Sequence, residues 1–489
     1  AALLAALLNA AGLETRYTWG EIQVSKSAAM NWVGASDPSA VPYVFANGGI
    51  PTAVGSTYLV LDHLWLQVRD GGQWRDLDPS FKTYQEQAGL NLRALMGYTP
   101  AAFRGRAESG ATITADYLQN LNASNVRDDL QAYARNLVDH LRQNETFVDP
   151  GALIGGRAIV PVVSSSYPAS LPYTVRTRLG QAAAIPDRFV YELQVELPGL
   201  NYQAQFPAIA GERVTVFYEC ATPADCQRLR DGGGIYQVYP AYQVQMVPRL
   251  RVGGQVVATG SAVPLGSYDN LIRLTIHTPI DGWSTSSSQW LTAGARYALP
   301  MHLQTTSLRA LARQAELLDQ ALALDLPVED ERFSGQVLHL LGLSYFNEVE
   351  LGDRIDARLA RIVHVPLFSI MIASRNVLLA GWDSQGRITS LAPGSHAVDV
   401  RINYSSAISA ENPAVERRER AWFLAAGVRG SAAEHAILEQ LQPLQAISTV
   451  QALRLAVERG QRIYTLTAGN FQRLAGELEH PLSQALTTA

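Results

Sequence analysis

The stretch from Asp62 to Phe81 constrains this chain more than any other. It reads Asp-His-Leu-Trp-Leu-Gln-Val-Arg-Asp-Gly-Gly-Gln-Trp-Arg-Asp-Leu-Asp-Pro-Ser-Phe. From His63 onward the residues alternate. Leu64, Leu66 and Val68 fall on one face, and His63, Trp65 and Gln67 on the other, which is the period of a strand. Asp70-Gly71-Gly72 is a turn signal, because glycine takes up positive φ without steric cost. Trp74 to Asp78 reads as the returning strand, and Pro79 stops it. A hairpin of this kind brings His63 toward Asp78. A carboxylate placed there holds an imidazole in one tautomer, the orienting role it has in nucleophilic triads. Asp76 falls on the same strand face as Asp78 and is the alternative partner.

The chain has 489 residues, room for about three domains, and its apolar share of 47% is that of a globular protein with a real core. A net charge of −5 and the lack of any Lys/Arg block argue against a nucleic-acid binder, which would show a basic face. Cys220 and Cys226 are too few for a disulfide framework. They either close one small loop or stand as two isolated thiols, and no second Cys or His pair stands near them to complete a zinc site. Ala1 to Leu13 is apolar, but it lacks the basic flank of a signal peptide and is too short to span a membrane.

In chain order, Ala1 to Ala11 reads as a buried helix, with Leu3, Leu4, Leu7 and Leu8 apolar and Gly12 as its stop. A strand is expected over 13–24, then short helices over 28–34 and 41–46. Residues 127–143 carry a helical stripe of Leu130, Tyr133, Leu137 and Leu141. Asp149-Pro150-Gly151 marks a boundary. Beyond it, residues 188–197, 213–218, 242–247, 250–257, 270–277 and 297–303 read as strands with Gly/Pro turns, which suggests a sandwich. Its Tyr236, Tyr239, Tyr242, Trp283 and Trp290 are expected as core or cross-strand residues, the alternative being the lining of a carbohydrate or peptide groove. A helix follows over 307–324 and one or two more over 329–362; His339, on the apolar run Val337-Leu338-His339-Leu340-Leu341, is expected as a satisfied core histidine. Residues 363–404 return to strands. Asn412 and Pro413 open a helix to 442, and Ser448/Thr449 cap another that ends near Gly460, before a strand over 461–466.

The hairpin also carries a family resemblance. His-x-Trp-x-x-Val, a glycine turn, then Trp-x-x-Leu-Asp-Pro-Ser-Phe resembles the His/Asp half of the transglutaminase-like cysteine-enzyme superfamily. Ala1 to Tyr17 resembles the helix and strand that follow that family's nucleophile. Met30-Asn31-Trp32-Val33-Gly34, Gly48-Gly49-Ile50-Pro51-Thr52 and Asp78-Pro79-Ser80-Phe81-Lys82 narrow the likeness to the transglutaminase-like segment of large bacterial surface or secreted proteins that often carry YD (RHS-type) repeats. The resemblance implies catalytic roles for His63 and Asp78, and Trp65, two residues from His63 on the same strand face, is placed to shield the site from water. The family's cysteine stands just before the alanine matched by Ala1, at the front of a helix whose dipole lowers a thiol pKa; neither Cys220 nor Cys226 matches it. The chain thus reads as an internal piece of a longer polypeptide.

The expected fold class is α+β: a transglutaminase/papain-like domain over 1–98, a helical extension over 99–150, a β-rich sandwich-like domain over 151–304 and a mixed α/β region over 305–489. The expected activity is acyl transfer on protein amides, ending in hydrolysis or cross-linking, in an extracytoplasmic bacterial setting. The alternative is a non-catalytic scaffold of the same fold whose β domain serves adhesion or packing. A metal hydrolase built on His63, Asp62 and Asp78 lacks a further ligand at set spacing. The expected partners are a protein or peptide substrate and the rest of a larger polypeptide. No nucleic acid, cofactor, metal or transmembrane segment is expected.

Overall fold

The computed structural model describes residues 1–144, 153–164, 166–279, 283–302, 307–327, 329–375, 378–394, 396–409, 416–441 and 448–476. The Asp149-Pro150-Gly151 boundary and the Asn412-Pro413 helix start lie outside the described residues. The chain is mixed α and β and forms two compact units, one of residues 1–85 with 159–444 and one of residues 86–158 with 445–489.

The first unit opens with helix α1 (Ala2–Ala10), strand β1 (Thr15–Ser25), helix α2 (Lys26–Val33), helix α3 (Val41–Asn47), strand β2 (Thr52–Val54), strand β3 (Tyr58–Asp70) and strand β4 (Gln73–Leu77). Ser25 caps α2 by accepting from the Ala28 N–H, and Gly34 ends it in the left-handed region. β3 pairs antiparallel with β1 along its whole length, from Thr15 opposite Val68 to Ser25 opposite Tyr58. β2 and β4 both pair with β3. Gly71 and Gly72, with φ of +56° and +82°, make the β3–β4 turn.

Both faces of this sheet are covered. Leu59, Leu61 and Trp65 face the layer of α2 and α3, packing with Ile22, Val24, Val41, Val44 and Phe45. Leu66 and Tyr17 face α1 through Ala5. The expectation of a buried α1 is corrected in part. Ala5 is its one buried residue, while Leu3 and Leu7 are exposed. A helix lying on a sheet buries one stripe, here Ala1, Leu4, Ala5 and Leu8, so its other leucines have no layer to enter.

A fifth strand, Thr174–Ala182, pairs with β1 on the side away from β3. The expected boundaries at 98 and 150 therefore give way: a strand of the supposed β domain completes the N-terminal sheet. The boundary at 304 gives way as well. An eight-stranded sheet runs from Gln255–Thr259 through Gln245–Val252, Val214–Cys220 and Arg296–Ala298 to Ile362–Arg375, whose backbone pairs with Ala397–Ser409. A four-stranded sheet of Leu200–Gln205, Glu192–Leu197, Asn270–His277 and Ser284–Leu291 shares one apolar cluster with it, in which Val195, Ile272 and Leu274 meet Val216, Leu250, Phe368 and Ile370. Hydrogen bonding between strands distant in sequence thus overrides the local composition shift.

The segment expected as one or two helices is a single helix, Glu331–Ala360. Its Leu338, Tyr345 and Phe346 pack on Ala298, Met371, Ala373 and Val398. In the second unit, the helix Ala123–Asn144 answers the stripe read over 127–143. The same unit holds a small sheet in which Tyr117–Gln119 pairs with Thr112–Ile113 and with Ile463–Tyr464, so that residues expected in the last domain join the helical extension. Asp116 receives hydrogen bonds there from Asn470 and Arg473.

Candidate active site

The β3–β4 hairpin sets the site. Leu66 stands opposite Leu77, so Asp78, just past the end of β4, comes level with the His63–Trp65 face of β3. His63 Nε2 lies 2.7 Å from Asp78 Oδ2, and the Asp78 side chain has no exposed surface. Nε2 therefore carries the proton toward the carboxylate, and the lone pair falls on Nδ1. The pair with Asp78 is the only hydrogen bond of the His63 side chain among the described residues.

Asp78 is held from three sides. Its Oδ1 accepts from the Ser80 backbone N–H at 2.8 Å, and its Oδ2 accepts from the Tyr173 hydroxyl at 2.9 Å as well as from His63. Burial pushes its pKa up, but the hydrogen bonds from His63 and Ser80 outweigh burial and hold it below the usual carboxylate range. Burial, with the Asp78 charge next to it, pushes the Tyr173 hydroxyl far above its ordinary value, which keeps it protonated as a donor.

Aromatic rings enclose the imidazole. Their centroids stand 5.2 Å (Trp32), 5.6 Å (Tyr173), 6.1 Å (Phe81) and 6.4 Å (Trp65) from that of His63, with Trp65 stacked and the other three edge-on. Trp65 is fully buried and is fixed by Asp76. The carboxylate of Asp76 accepts from Trp65 Nε1 at 2.9 Å, from Gln67 Nε2 at 2.7 Å and from both ends of the Arg178 fork. Arg178 also lies over the Trp65 ring at 5.3 Å. Asp76, the alternative partner for His63, is thus committed to holding the wall of the site. Its own burial opposes ionisation, and the bonds from Arg178, Trp65 and Gln67 lower its pKa regardless.

Opposite His63 on β1 stands Gly20. A Cβ there would sit 2.0 Å from the Thr177 carbonyl oxygen, at the bulge where β1 meets Thr174–Ala182, so only glycine fits. A cavity of about 610 Å³ is bordered by His63, Gly20, Trp19, Ile50, Arg188 and Phe189, a size that suits a small ligand or a peptide side chain. The front of α1, at Ala1, lies within electrostatic reach of the Asp78 carboxylate and the Lys82 ammonium.

Sequence reasoning places His63, Asp78 and Trp65 at this corner, and the structure brings the three together. Tyr173 and Arg178 were missed. They arrive on or beside a strand about a hundred residues downstream, and the alternation over 174–182 was the one local sign of it. Trp32 stood in a quoted motif with no role attached. Cys220 and Cys226 are joined as a disulfide across the start of helix Pro223–Asp231 and play no part in this corner. Among the described residues no group of three His, Cys, Asp or Glu side chains is placed to hold a metal ion. Comparison with known protein families, curated proteins and solved structures finds no match.

Proposed function

We propose that the His63–Asp78 corner is the base half of a transglutaminase-like thiol site performing acyl transfer on protein amides. In this reading His63 Nδ1 takes the proton of a cysteine thiol, and Asp78 fixes the tautomer and stabilises the imidazolium that forms. The thiolate attacks an amide carbonyl, ammonia or an amine leaves with a proton from His63, and the thioester passes its acyl group to water or to an amine. Trp65 and the other rings keep water from the imidazole. The nucleophile this reading requires is the cysteine that the resemblance sets just before the alanine matched by Ala1. The observation that carries this reading is the buried 2.7 Å Nε2–carboxylate pair, which leaves the other ring nitrogen as an acceptor. The front of α1, at Ala1, lies within electrostatic reach of Asp78, which supports a nucleophile there. The Cys220–Cys226 bridge removes both cysteines of this chain as thiolate donors, and it suits an oxidising, extracytoplasmic setting. No described helix is long and apolar enough to cross a membrane.

The second reading is a scaffold that keeps the corner without the chemistry. The test is a chain extended upstream of Ala1, treated with iodoacetamide or a peptide aldehyde and followed by mass spectrometry. The thiol reading expects one adduct, on the upstream cysteine, whose rate at neutral pH falls at least a hundredfold in His63→Ala. A serine or alanine before Ala1, or a labelling rate indifferent to His63, selects the scaffold.

A further inference from the structure

One face of the eight-stranded sheet carries a row of like charges. Strand register sets Arg249 opposite Phe217, Phe217 opposite Arg296 and Arg296 opposite Arg375. Directly opposed residues of antiparallel strands share a face, so three guanidiniums and one ring stand in line. Arg251 and Glu219 sit two positions along on the same face. Opposed like charges destabilise a sheet unless something lies between them.

The carboxylates nearby do not balance the row. Glu219 is shared by Arg249 and Arg251. Glu331 is taken by Arg213, and Asp330 by Arg332. Among the described residues, the one carboxylate paired with Arg296 is Glu329 at 3.7 Å, and that side chain is 69% exposed. Arg375 has no ion pair among the described residues. Arg251 Nη1, Arg296 Nη1 and Arg375 Nε are buried without a hydrogen-bond partner among the described residues, and buried polar groups of this kind call for a partner. The Arg296 side chain is more than nine-tenths buried; burial lowers its pKa against the opposing pull of Glu329 and Tyr236, and Arg375 lowers it further. Beside it opens a cavity of about 650 Å³, lined by Arg251 and Arg296 together with the paired carboxylates of Glu219, Glu329, Asp330 and Glu331, and walled by Phe217, Leu229, Ile235 and Met246.

We propose that this cavity binds an organic oxyanion, a carboxylate or phosphate monoester with an apolar body. The head group sits on the forks of Arg296 and Arg251, where guanidinium geometry matches two oxygens at once. The body lies against Phe217, Leu229, Ile235 and Met246. An occupant of this kind offsets the Arg296–Arg375 repulsion, so it stabilises the sheet on binding. This site is independent of the His63 corner.

The experiment is thermal unfolding and titration calorimetry of the full chain with phenyl phosphate, phenylacetate and inorganic phosphate. A ligand that binds only the folded state raises the melting temperature with concentration. The expected result is a saturable rise with phenyl phosphate or phenylacetate, larger than with inorganic phosphate; which of the two organic anions acts names the head group. Arg296→Gln should weaken binding at least tenfold, while its anion-free melting temperature stays level or rises, because a buried uncompensated cation has gone. Arg296→Lys, which keeps the charge and loses the fork, should weaken binding several-fold and serves if the glutamine variant fails to fold. His63→Ala should bind as the parent does. No saturable shift with any of the three anions overturns the proposal, as does binding by Arg296→Gln and Arg296→Lys equal to that of the parent.

Discussion

Two buried polar regions of the same unit are built on opposite terms. At the His63 corner Asp78 receives three hydrogen bonds, and Asp76 receives bonds from three side chains. On the arginine face of the eight-stranded sheet, guanidinium nitrogens are buried with no partner. A buried network with every member satisfied is rigid and specifies one geometry. A network left open holds its groups ready for something that arrives later. The contrast separates a site that fixes a side chain from a site that waits for a charge.

The largest expected break in this comparison is Trp65→Ala. Trp65 is fully buried, stacks on His63 and is bonded to Asp76, so its removal should cost about 3–5 kcal/mol of unfolding free energy, read in urea titrations. Arg296→Gln in anion-free buffer should cost close to nothing. Equal losses at the two positions would erase the distinction.

The next effect depends on pH. His339 lies on the Glu331–Ala360 helix, is buried, and has no hydrogen-bond partner on either ring nitrogen. Its core position was expected from the apolar run around it; its lack of partners corrects the expectation of a satisfied histidine, because the run supplies leucines and a valine and no acceptor. Burial, with Arg213 adding to it, pushes its pKa down to about 4. The unfolded chain, with a histidine near 6.5, binds the proton more readily than the fold does. Stability from this group is therefore full above about pH 6.5 and falls as pH drops toward 4, by roughly 3 kcal/mol over the window. His339→Leu should flatten that slope in urea titrations at pH 7, 6 and 5. An unchanged slope would mean that His339 finds a partner in solution.

What the sequence disclosed followed its local periodicities. The alternation from His63 and the Gly71-Gly72 turn sufficed to place Asp78 beside His63, because a tight hairpin fixes register by itself. The helices around Leu137 and Leu338 were legible for the same reason. Pairing between distant strands was not. Nothing near Arg296 announces that it will stand opposite Arg375, and nothing near Tyr173 announces Asp78. Domain boundaries drawn from composition failed at 98, 150 and 304 because Thr174–Ala182 and Ile362–Arg375 pair with strands on the far side of them. The leucines of α1 were read as a buried set because apolar composition does not say how many faces a helix will find covered.

Asp78 holds His63 as the Nε2–H tautomer with Nδ1 as an open acceptor. Nitrogen-15 NMR of the histidine rings tests it most directly. At pH above the histidine titration, the His63 Nε2 should show a protonated shift coupled to a downfield, exchange-protected proton, and Nδ1 an unprotonated shift. In Asp78→Ala that proton should move upfield and lose its protection. A His63 ring protonated at Nδ1, or one whose signals ignore the loss of Asp78, would contradict the account.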